Sequence, residues 1–132
     1  MTRITAVNPW TWQDNYGFSQ GLEVSGAERV LYCAGQASVD AEGNPVHAGD
    51  MAGQVTQALD NLEAVLAKAG LGLADVVRLT YFTTDVDALV EAFGVLAERL
   101  GKAGRAPTSS LLGVQRLFHP DLLVEIEATA VG

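Results

Sequence analysis

Glu125 and Glu127 stand two residues apart in Val124-Glu-Ile-Glu-Ala-Thr-Ala-Val131, a spacing that puts both carboxylates on one face of a strand. On a sheltered face such a group has its pKa raised and can shuttle protons near neutrality; on an open face it is simply solvated. Cys33 would be a nucleophile only if something lowered its pKa. It lies in the apolar run Arg29-Val-Leu-Tyr-Cys-Ala34 and reads as a small buried hydrophobe. Ser109-Ser110 has no Gly-x-Ser-x-Gly elbow around it, so triad chemistry has no support. His47, His119 and Cys33 lack the close pair spacing of a metal centre, and no metal or other cofactor is expected. Gly70-Leu-Gly72 follows a helix, where a dinucleotide site needs a strand before it, so it reads as a cap and turn. Trp10, Trp12, Tyr16 and Phe18 form an aromatic cluster that either lines a pocket or interface or packs over a sheet edge.

The elements that must position these groups are legible from periodicity. Arg3 to Val7 and Phe18 to Val24 read as short strands, the second ended by a turn at Ser25-Gly26. Arg29 to Ala34, nearly continuous in apolar side chains, predicts a strand covered on both faces. Asp40 to Pro45 is a polar turn in which Gly43 supplies a positive φ. Asp50 is positioned as an N-cap for a helix carrying Met51, Val55, Leu59, Leu62 and Leu66, with Gly70 at its C-terminal cap. Val76 to Thr83 predicts a strand. A second helix starts near Asp85 or Asp87, buries Leu89, Phe93, Leu96 and Leu100, and stops at Gly101. Ser109 to Val114 and Leu122 to Val131 are the last strands. The order is βββ-α-β-α-ββ, an α+β fold with one mixed sheet and two helices packed on one face. Its other face must meet water or a partner.

The 132 residues suit a single domain spanning 1-132. Hydrophobic residues make up 48% and charged residues 18%, an apolar balance that predicts surface buried between subunits. A formal net charge of −8 argues against nucleic acid and against anionic membranes. Neither a secretory leader nor a membrane span is visible, so a cytoplasmic protein is expected.

Phe18-Ser-Gln20, Ala34-Gly-Gln36, Ala58-Leu-Asp-Asn-Leu62, Asp75-Val-Val77, Thr84-Asp85 and Val124-Glu-Ile-Glu-Ala128 occur in an order that resembles the reactive intermediate deaminase family (Rid, or YjgF type), from about residue 16 to 131. The resemblance implies a chorismate-mutase-like fold and a homotrimer with a small-molecule pocket at each subunit interface. Active members hydrolyse enamines and imines, such as 2-aminoacrylate, to a carbonyl compound and ammonia.

Carried over residue by residue, the resemblance makes Glu125 the proton-transfer group and Gly35 a backbone wall of the pocket. It also marks departures. Ser109 in Pro107-Thr-Ser-Ser110 stands where the family has an arginine that anchors the substrate carboxylate. Phe18 replaces a pocket tyrosine, Ala34 a serine, and Phe93 an asparagine. With Trp12, Ser110 and Leu111 completing the expected lining, the pocket is apolar and has lost its fixed cation, which a serine hydroxyl does not replace. Arg105 and Arg116 are the nearby candidates for compensation, the first needing a loop shift and the second expected at the outer end of a strand. The expected substrate is therefore neutral or bulkier than 2-aminoacrylate. The alternative is a non-catalytic trimer that binds a small molecule, or acts as a regulator, through the same cleft.

Overall fold

A computed structural model describes residues 1–132. Strands β1 (Arg3–Val7) and β2 (Gly21–Ser25) pair antiparallel. Strand β3 (Val30–Ala37) and helix α1 (Met51–Lys68) follow, then β4 (Val76–Thr83), α2 (Val86–Glu91), α3 (Phe93–Ala103), β5 (Thr108–Gly113) and β6 (Val124–Val131). Short 3₁₀ turns lie at Trp12–Tyr16 and Leu73–Asp75. The main sheet has the order β3-β6-β4-β5, with β6 antiparallel to both neighbours and β5 parallel to β4. The α+β class and its mixed sheet agree with the sequence reading. Three details differ.

The β1-β2 pair is a ribbon separate from the four-stranded sheet rather than part of one continuous sheet. Its exit explains this. Gly26 turns the chain at φ +70°, and the Glu28 and Arg29 N–H groups then donate to the Gly132 carbonyl, so the start of β3 joins the end of β6 instead of β2. The expected second helix is broken into α2 and α3 at Ala92, whose N–H is shared between the Ala88, Leu89 and Val90 carbonyls. It also runs past Gly101: the left-handed residue that ends α3 is Gly104, at φ +77°.

The caps at the other ends hold as expected. Asp50 accepts from Gly53 N at 3.0 Å and Asp85 from Ala88 N at 3.1 Å, while Gly70 adopts φ +76°. Helix α1 lays Val55, Leu59, Leu62 and Leu66 against Leu79, Ile126 and Ala128, all buried. Cys33 belongs to this core. The opposite sheet face is covered only in part: the segment after β5 packs Leu117 and Leu122 on Ala37, next to Phe82 and Val114. On the remainder Tyr32 is 80% exposed, leaving that part of the face, which also carries Glu127 and Thr129, without an intrachain partner. No helix is long and apolar enough to cross a membrane.

Candidate active site

The predicted site residues fall into two clefts on opposite faces of the main sheet. Strand parity decides which. Tyr81 pairs with Ile126 and with Leu111, so Tyr81, Leu111 and, two residues back, Ser109 face the helices. Phe82 pairs with Glu125 and Thr80 with Glu127, so both glutamates face the open side.

The helix-side cleft is about 710 Å³ and brings together Trp12, Phe18, Phe93, Ser109 and Leu111 from the expected set. Trp12 meets Phe18 edge-on at 5.8 Å between ring centroids and Tyr16 at 6.2 Å. Ser19 pins this aromatic segment in place: its N–H donates to the Pro107 carbonyl and its hydroxyl to that of Ala106, just before β5. The opposite wall is α3, from which Phe93 reaches Tyr81 at a centroid distance of 6.0 Å. Asp14 is the one formally charged residue of the lining, and no lysine, arginine or histidine joins it. Arg105 does not supply the missing cation, since its Nε donates to the Ala74 carbonyl at 2.7 Å.

The open-face cleft, about 460 Å³, holds Gly35, Glu125 and Glu127 with Phe82, Arg116 and Phe118. The pairing of β3 with β6 shifts between Cys33 and Gln36, so Ala34 and Gly35 form a bulge without ladder partners. There the chain approaches Glu125 so closely that a Cβ on Gly35 would lie 2.5 Å from the carboxyl carbon. Only glycine permits this approach. Glu125 is half-buried and Glu127 exposed. Arg116 shares the cleft with both glutamates but forms no ion pair with either; its Nε donates weakly to the Leu117 carbonyl at 3.4 Å.

Two expected residues enter neither lining. Ala34 is exposed on the bulge, where its carbonyl accepts from Gln36 Nε2 at 3.2 Å, and the Ser110 hydroxyl accepts from Arg78 Nη2 at 2.9 Å on the open face. One lining residue with a hydroxyl was not singled out from the sequence for a site role, and one that was weighed as a compensating cation lies elsewhere than expected. Tyr81 sits in an apolar strand, where its only signal is a hydroxyl at a helix-facing position. Arg116, expected at the outer end of a strand, faces the glutamates from the segment that follows β5.

A family model described as Endoribonuclease L-PSP matches residues 13–132, and the chain belongs to this family, as a Rid or YjgF-type member. Among its relatives, the 2-iminobutanoate/2-iminopropanoate deaminase of Escherichia coli K12 is 33% identical over 86% of this chain and 86% of its own. The crystal structure of the Rid-family protein YyfB from Yersinia pestis superposes with a TM-score of 0.84 at 36% identity, covering 97% of this chain and 98% of that one. Escherichia coli TdcF, solved with bound serine, gives 0.71 at 28% identity over 96% and 91% of the two chains.

Proposed function

We propose that this chain hydrolyses a reactive enamine or imine to a carbonyl compound and ammonia, with Glu125 as the proton-transfer group. The observation that carries this reading is the contact between the Gly35 bulge and the Glu125 carboxyl, which fixes a carboxylic acid at the wall of a cleft. Unpaired backbone groups at a bulge are suited to hold a water beside it. In the reaction, Glu125 as the acid gives its proton to the imine nitrogen, and as the carboxylate takes one from the attacking water. The carbon–oxygen bond forms as the C=N double bond becomes single. Glu125 then passes the proton it took from water to the amine nitrogen, the carbon–nitrogen bond breaks to release ammonia, and the hydroxyl proton returns to the carboxylate as the C=O double bond forms.

Ser109 and Glu125 occupy opposite sheet faces, so one chain cannot bring both to one substrate. A site built from the open face of one protomer and the helix-side cleft of another resolves this, and a homotrimer buries the bare sheet face at the same time. The deaminase names of relatives support the reaction class. The family description as an endoribonuclease receives no support from charge: a net −8, with Glu125 and Glu127 at the cleft, offers no basic footprint for phosphates. The absence of a cation in the helix-side cleft favours a neutral or bulky substrate over 2-aminoacrylate.

The test generates an imine in the presence of the protein: benzaldimine from benzylamine and an amine oxidase, with ammonia followed continuously. The wild-type chain should accelerate release, and Glu125→Gln should abolish the acceleration while eluting as the same trimer. Full activity in that variant overturns the role of Glu125. Ligand binding with no acceleration for any imine favours the non-catalytic reading, which the serine at position 109 recommends.

A further inference from the structure

Tyr81 is only 5% exposed, and its hydroxyl donates to and accepts from no protein atom. Yet every side-chain nitrogen or oxygen sealed from solvent has a hydrogen-bond partner. The Tyr81 hydroxyl is therefore not sealed from solvent, and the residue is part of the wall of the helix-side cleft. The Ser109 hydroxyl is also without a protein partner, and it points to the same side one strand away, where Leu79 pairs with Ser109 and Tyr81 with Leu111. Two free hydroxyls thus sit at the floor of a cleft whose walls are Trp12, Tyr16, Phe18 and Phe93. A ligand that fills the cleft displaces the water these hydroxyls would otherwise bond, so one that carries a matching polar group is favoured over one that leaves them unpaired. A ring lodged between aromatic walls gains apolar burial and edge contacts.

We propose that Tyr81 is a specificity-determining residue of this chain, and that with Ser109 it receives the polar group of an uncharged, ring-bearing molecule held in the helix-side cleft. Charge supports the uncharged class. Asp14 is the only charged group of the lining, so an anion entering here meets repulsion and no counter-charge. Burial pushes the Tyr81 phenol up from its ordinary value, so it is a neutral donor near neutral pH. Treating this molecule as the substrate rests on the proposed deaminase reading; the binding itself does not.

The experiment uses benzamide as the probe, a planar ring with a neutral amide, and ethylbenzene as a partner of similar shape without a hydrogen-bonding group. Trp12 fluorescence in a Trp10→Phe background reports occupancy. Benzamide should bind more tightly than acetate. Tyr81→Phe should weaken benzamide by about three- to tenfold, one neutral hydrogen bond, while leaving ethylbenzene unchanged. Ser109→Ala should act in the same direction. Equal loss for both probes would make Tyr81 a packing residue, and no loss for benzamide, or preference for acetate, would overturn the proposal. A wild-type chain that binds benzamide in this Tyr81-dependent way yet accelerates the hydrolysis of no imine would leave the binding role of Tyr81 standing while the deaminase reading fails.

Discussion

Replacing Gly35 by alanine tests the proposed chemistry at its tightest contact. The new methyl group would lie 2.5 Å from Cδ and Oε1 of Glu125 and 2.7 Å from Cγ. Non-bonded carbon contacts settle at about 3.5 Å, so the carboxyl must retreat by about 1 Å. The retreat is cheap for the fold. Gly35 is not among the positive-φ glycines, so alanine meets no backbone strain there. What it strikes is the far end of a half-buried, flexible side chain rather than another backbone. Stability should change by less than about 1 kcal/mol, a few degrees in Tm.

Catalysis should respond out of proportion, because a misplacement of about 1 Å at a reacting group costs up to about a hundredfold. The expected result is a 10- to 100-fold fall in kcat/KM for benzaldimine hydrolysis, followed by ammonia release under the same amine oxidase. In a Glu125→Gln background the glycine substitution should add almost nothing, since both act through one group. An alanine variant that melts like the wild type and turns over at the wild-type rate would refute the idea that the position of this carboxyl sets the rate.

Other consequences are simpler to read. Gln54 is fully buried; its Nε2 donates to the His47 and Asp121 carbonyls and its Oε1 accepts from Leu123 N, so Gln54→Leu should cost about 3 kcal/mol or more by urea titration. Burial raises the pKa of both the Cys33 thiol and the Tyr81 phenol, so the unfolded chain ionises first as the pH rises. Their contribution is complete below their ordinary values of 9.0 and 10.0 and declines above them, so urea midpoints should fall between pH 8 and 11, with a shallower fall in Tyr81→Phe. Ser109→Arg would place a cation in the helix-side cleft and should raise the rate on 2-iminopropionate by about tenfold or more, the worth of one charged hydrogen bond; a folded but unimproved variant would show that arginine loss does not set the substrate range.

Most of the framework is legible because local rules and burial agree. The alternation in β6, the Asp50 cap and the stripe through α1 each point to one answer. What escapes the sequence depends on register and on contacts far apart in the chain. The break at Ala92 carries no signal, since alanine favours helix on both sides of it. The bulge at Ala34-Gly35 is visible only once β3 is set against β6, and with it the reason for glycine at 35. Parity within β6 correctly puts Glu125 and Glu127 together, but parity cannot say that Ser109 lies on the other face, because that needs the pairing of β4 with both neighbours. Tyr81 is hidden for the same reason: in the sequence it is one more large residue in a strand.

Division of the candidate site between two sheet faces gives the missing arginine a consequence beyond one lost contact. With no cation in the helix-side cleft, a substrate carboxylate seated there would, in the proposed trimer, face the open-face glutamates of a neighbouring protomer. Two like unit charges about 6 Å apart at an effective dielectric of about 20 repel by about 3 kcal/mol, roughly a hundredfold in binding. Arg116 beside those glutamates offsets part of this, but it lies on their side of the sheet and forms no ion pair with them. A neutral imine avoids the repulsion, and its protonated form is attracted by the same carboxylates. The field that penalises a 2-imino acid thus stabilises the iminium on the path to hydrolysis. On this reasoning the serine at 109 and the aromatic walls redirect the substrate range rather than disable the site.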